Sequence, residues 1–183
     1  MAGSNSPGIR FCLYVSLILC ALTGAAYAGE RAAHLVNSFQ VMCMLDPLDF
    51  ARSDAKATAM KLPVRQDLHS PPNPSGYFNH AKSWLLPLKS GAHEFVVSET
   101  HGPAADIKSC GIGAPDVDAA DFRAELTKSM KLGQPATVVT SRDGQFRNTV
   151  WAVGDLSLML SDGSPKKLKQ GIYLTLSNKP LAR

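Results

Sequence analysis

Glu99 and His101 stand two residues apart at the end of a segment, His93 to Thr100, whose Phe95-Val96-Val97 run reads as a β-strand. Side chains alternate along a strand, so His93, Phe95, Val97, Glu99 and His101 share one face. A carboxylate beside an imidazole is half of a metal site or an acid–base pair, and His80 is a third group that an adjacent loop could bring to it. The simpler expectation is that Glu99 and His101 face water at a frayed strand end, just before Gly102-Pro103. No other metal-ligand spacing in the chain supports a site. On this reading no catalytic residue, metal or cofactor is assigned.

The remaining motifs are weaker still. Met42-Cys43-Met44 offers soft sulfur suited to copper, but on a strand Cys43 would point away from both methionines, and core packing is the better reading. Gly111-Ile112-Gly113 begins a G-x-G-x-x-G pattern, yet Asp116 stands at the third glycine, so the segment reads as a turn between a strand and a helix. The chain has no P-loop and no G-x-S-x-G, and His93-Glu94 lacks the second histidine of H-E-x-x-H. Trp84 and Trp151 could stack on sugars or bases, but their setting favours the core. Residues 63–80 carry Pro63, Pro71, Pro72, Pro74 and Gly76 without periodicity, which reads as a long loop. Tyr77 and Phe78 near its end are aromatic side chains suited to recognition. Tyr77, Phe78, His80, Glu99 and His101 are therefore the candidate binding residues.

The elements that must position these groups begin after residue 28. Arg10, the apolar run from Phe11 to Leu22 and the Ala26-Tyr27-Ala28 site make a secretory signal peptide, with Gly29 as the expected mature N-terminus. The run is too short to span a bilayer, and no comparable stretch follows, so no transmembrane segment is expected after cleavage. Residues 29–183 then form one domain of ordinary size in the periplasm or outside the cell. Without Arg10 the balance is 18 basic to 15 acidic side chains, a net +3, too mild for a nucleic-acid surface. The Lys166-Lys167-Leu168-Lys169 cluster reads as a solvated turn. Cys43 and Cys110 are the only thiols left, and in an oxidising compartment they form one disulfide.

The chain also echoes itself. D-x-x-D-F occurs at Asp46–Phe50 and Asp118–Phe122, Met-Lys-Leu at residues 60–62 and 130–132, and each cysteine is followed 41 residues later by a tryptophan. The D-x-x-D-F motifs are 72 apart and the cysteines 67 apart, so a duplication, with half-repeats near 36–100 and 104–178, requires compensating insertions. Asp46 and Asp118 are expected as N-caps, with Pro47 in the first helical position. Helices are expected near 47–61 and 118–132. The first turns Leu48, Ala51, Ala55, Ala59 and Leu62 inward; the second turns Ala119, Phe122, Leu126 and Met130 inward before Gly133 stops it. With strands at 93–100, 137–140, 145–153, 156–160 and 172–176, the fold class is α+β, two helices on a mainly antiparallel sheet.

Export, one disulfide and no reactive constellation point to a small binding protein, its partner another protein, an envelope component or a small ligand. The alternative is a secreted hydrolase or metal-dependent enzyme using Glu99, His101 and His80.

Overall fold

Apolar side chains recur at every second position in the middle of the central strands, as at Phe95 and Val97, Cys110 and Ile112, Leu158 and Leu160, and Leu174 and Leu176, so a sheet built from them must bury one face. The computed structural model describes residues 29–72, 76, 78–88, 91–103, 105–141, 146–163 and 171–178. Residues 1–28, expected to be a signal peptide, Tyr77 and the basic cluster 166–169 lie outside these residues. Eight strands form a single sheet: β1 (Val64–Ser70), β2 (Phe78–Leu88), β3 (Gly91–His101), β4 (Ile107–Ala114), β5 (Thr137–Thr140), β6 (Phe146–Val153), β7 (Leu156–Gly163) and β8 (Ile172–Ser177). Their order is β1-β2-β3-β4-β8-β7-β6-β5, and every neighbouring pair is antiparallel. Trp84, Phe95, Cys110, Ile112, Leu158, Leu160, Leu174 and Leu176 lie on one face and are buried.

Three helices cover that face among the described residues, one more than expected. Helix α1 spans 29–39 and continues into a π-helical turn, Gln40–Met44. Ala32, Leu35, Val36, Phe39, Met42 and Cys43 are all buried along it, a three- and four-residue spacing that belongs to a helix. The strand expected around Cys43 is therefore corrected, and Met42 and Cys43 point into the core together. Cys43 is disulfide-bonded to Cys110 on β4, with the Cα atoms 5.5 Å apart. The two cysteines thus tie a helix end to a central strand and do not occupy equivalent strands of two repeats.

Helix α2 is Phe50–Ala59 and helix α3 is Ala119–Ser129. Asp118 caps α3 as expected, accepting the Ala120 and Asp121 backbone N–H groups. In α2 the cap is Asp49, which accepts the Arg52 N–H, while Asp46 pairs with Arg52 at 2.9 Å and Lys56 at 3.5 Å. Leu48 holds φ at 61°, which separates Pro47 from the helix and delays its start. Phe122 and Leu126 are buried, as their spacing predicts. The inward face of α2 differs from expectation: Ser53 and Ala57 are buried, whereas Ala51, Ala55 and Ala59 face water. A row of methyl groups carries too little apolar area to outweigh the anchoring of Phe50 and Leu62.

Both helices end the same way. Lys61 and Lys131 adopt left-handed φ values of 54° and 52°. Their N–H groups reach the carbonyls of Thr58 and Lys128, and the next N–H groups, on Leu62 and Leu132, reach Ala57 and Thr127. This is the Schellman pattern with lysine where glycine is usual, and Gly133 lies beyond it. The segment 63–80, read as a loop, contains β1. Its side chains are all exposed on an edge strand, so it lacks the period that marks a buried one. Gly111 and Gly113 are within β4 and not in a turn. Tyr173 lies over both, and a Cβ at Gly111 would meet the Leu174 carbonyl oxygen at 2.8 Å.

The disulfide closes a 67-residue separation, for which chain entropy gives about 4 kcal/mol. Reduction is expected to lower the thermal midpoint by about 10 °C. A scan before and after thiol titration checks this; an unmoved midpoint in fully reduced protein would contradict it.

Candidate functional site

Antiparallel register brings histidines together at the far end of the β1–β2–β3 corner. His69 pairs with His80 and Asp67 with Lys82 across β1–β2, while His80 pairs with Glu99 and Phe78 with His101 across β2–β3. Alternation puts Asp67, His69, His80, Lys82, Glu99 and His101 on the helix-covered face, where the covering thins out beyond α2. His80 is sandwiched between rings, with centroids 3.7 Å from His69 and 4.0 Å from Phe50 of α2.

Asp67 is the hub. Its Oδ1 lies 3.1 Å from His80 Nε2 and 3.3 Å from His69 Nε2. These three ligand atoms all lie within 4.8 Å of one another. Tetrahedral coordination with bonds near 2.1 Å needs ligand atoms about 3.4 Å apart, so the observed separations are of the right size for one ion. His69 is more than half exposed and has room to turn its lone pair toward such an ion. The hydrogen bond to His80, with smaller help from Lys82 and the two imidazoles, holds the Asp67 carboxyl below its ordinary 3.8. Lys82 is itself anchored by Asp54 at 2.8 Å and takes the other Asp67 oxygen at 3.8 Å, leaving Oδ1 to the histidines.

Glu99 sits on the opposite side of the His80 ring, 4.0 Å from Nδ1, and 3.9 Å from His101 Nε2. His101 turns its Nδ1 to Asp106 at 3.1 Å, and Phe78 stacks on it at 5.6 Å. The sequence trio of His80, Glu99 and His101 is thus adjacent, but the tightest ligand group is Asp67, His69 and His80. Asp67 and His69 fall in the segment that the prolines mark as a loop; D-x-H at period two on a strand is the signal that points to them. Trp84 and Trp151 are core residues, 1% and 4% exposed. The Met42-Cys43-Met44 sulfur set is broken up by the disulfide.

Comparison of the chain with protein-family models, with curated proteins and with solved structures finds no match.

His93 shares the strand face of Glu99 and His101 but is buried in the core. Burial holds its imidazole below the ordinary 6.5; nearby Asp116 opposes this and Arg31 adds to it. The neutral ring is the one that fits, so its stabilisation is present above pH 6.5 and is lost as pH falls below it. Asp46 and Asp67, both held below 3.8, contribute stability that is fully present above that pH and is lost only in more acid solution, so they do not shape this range. Chemical denaturation between pH 7.5 and 5 is expected to show falling stability, with a flatter profile in His93→Leu. Equal slopes in the two proteins would contradict this.

Proposed function

We propose that this chain is an exported binding protein that takes a divalent transition-metal ion, zinc in the first instance, on His69, His80 and Asp67. The observation that carries the reading is the convergence of two imidazole nitrogens on one carboxylate oxygen across adjacent strands. Imidazole and carboxylate suit zinc, and three protein ligands leave a coordination position open. Glu99, beside the other nitrogen of His80, orients that ring in the way carboxylates support metal-bound histidines. Export rests on the leader-like segment 1–28 and accords with the disulfide. No helix among the described residues is long and apolar enough to cross a membrane.

The same proposal takes residues 29–183 as one domain that arose by duplication. Its support is the order of elements: a helix with a Schellman end followed by a four-stranded meander, twice, with the last strands of each, β4 and β8, paired. The repeats then run from α2 to β4 and from α3 to β8, and the D-x-x-D-F motifs are not equivalent within them. A second functional reading, zinc-dependent hydrolysis, draws on the open coordination position. Turnover of ester or phosphoester probes by zinc-loaded protein, absent in His80→Ala, would favour it over binding alone.

Calorimetric titration with Zn²⁺ at pH 7.5 is expected to give one site per chain. His80→Ala and His69→Ala should each weaken it by at least about tenfold, with His101→Ala near wild type. Affinity should fall in more acid solution, because protons compete with the metal for its ligands. Equal affinity in wild type and His80→Ala would remove the proposal.

A further inference from the structure

The two halves carry the same polar pair with different chemistry. His80 stands four residues before Trp84 on β2, and opposite it is Glu99, four residues beyond Phe95, the partner of Trp84. Arg147 stands four residues before Trp151 on β6, and opposite it is Asp162, four residues beyond Leu158, the partner of Trp151. Where the first half presents imidazoles, the second presents guanidinium groups.

Asp162 is only 2% exposed. Arg147 grips it with two bonds, Nε and Nη2 each at 3.2 Å, and Arg123 from α3 donates to the same carboxylate through Nη2. Two cations on one anion leave a net positive charge, and burial together with the neighbouring Arg147 holds the Arg123 pKa below its ordinary value. A cavity of about 570 Å³ opens onto both arginines, with Leu132, Pro135, Val138 and Trp151 among its walls and no acidic side chain among the described residues that line it. Trp151 and Arg123 both line this cavity, and the buried Trp151 Nε1–H and Arg123 Nε–H have no hydrogen-bond partner among the described residues. A buried donor left unpaired is destabilising, and a ligand acceptor would relieve that cost.

We propose that this cavity is a second binding site, one for a small organic carboxylate. The carboxylate sits against Arg123 and Arg147 with the Trp151 N–H as a further donor, and the apolar body lies along Leu132, Pro135 and Val138. The planar fork of a guanidinium matches a carboxylate, and a singly charged anion matches the single surplus positive charge. The volume lies in the range of small-molecule sites and exceeds what an inorganic anion fills.

The test is an NMR titration of the ¹⁵N-labelled protein with benzoate, following the two tryptophan indole signals. Saturable movement of the Trp151 signal is expected, with Trp84 as the unmoved reference. Benzamide, the same shape without charge, should leave Trp151 in place, and sulfate should compete poorly. Trp151→Phe should weaken benzoate about five- to tenfold, the worth of one buried hydrogen bond. Arg147→Gln should weaken it more than tenfold, and His80→Ala should leave it unchanged. No saturable shift, equal response to benzamide, equally strong binding of sulfate, or full affinity in Trp151→Phe would each overturn the proposal.

Discussion

The pairing of β4 with β8 is the constraint on which the rest of the molecule depends. It joins two four-stranded meanders into one sheet, from Ser109 opposite Ser177 to Ala114 opposite Ile172. On the buried side Cys110 faces Leu176 and Ile112 faces Leu174, a continuous apolar seam; the π-helical turn after α1 packs on β4, while α2 packs on β3 and α3 on β7. The disulfide anchors α1 to this seam. On the other side Gly111 and Gly113 leave room for the Tyr173 ring, whose hydroxyl is pushed up to about 12 by burial and then by Glu94. A side chain at Gly111 would collide with the β8 backbone, so the seam itself demands glycine there.

With the centre fixed, chemistry moves to the ends of the strands. Trp84 and Trp151 mark the boundary in each half: both are buried, and four residues before each on its strand is a polar side chain paired across the ladder. In the first half Phe50 and the Asp54–Lys82 pair close only part of the surface, leaving His69 and Asp67 open to water. In the second half Arg123 reaches down from α3 and seals Asp162 beneath two guanidinium groups. One architecture therefore presents an imidazole–carboxylate cluster in one half and a cavity bordered by two arginines in the other.

How far the sequence could be read follows from the strength of local signals. Strand β5 coincides with the expected 137–140, and β7 and β8 begin where their alternation begins. Asp118 followed by Phe122 and Leu126 is a cap and a stripe with enough apolar area to decide a helix. Helix α1 adjoins the leader-like segment, and Met42-Cys43 fits a strand as readily as a helix turn; the stripe from Ala32 to Cys43 is legible only at a period of 3.6. Strand β1 carries no burial pattern to read, and with it went Asp67 and His69. The convergence of those residues on His80 is a product of register, a property of pairing that no single segment encodes.

The most direct test of the metal-binding account is anomalous diffraction from crystals grown with Zn²⁺, collected on both sides of the zinc edge. The account predicts one dominant anomalous peak within about 2.0–2.2 Å of His69 Nε2, His80 Nε2 and an Asp67 oxygen. A zinc peak elsewhere with this corner empty, or no peak at all at saturating zinc, would contradict it.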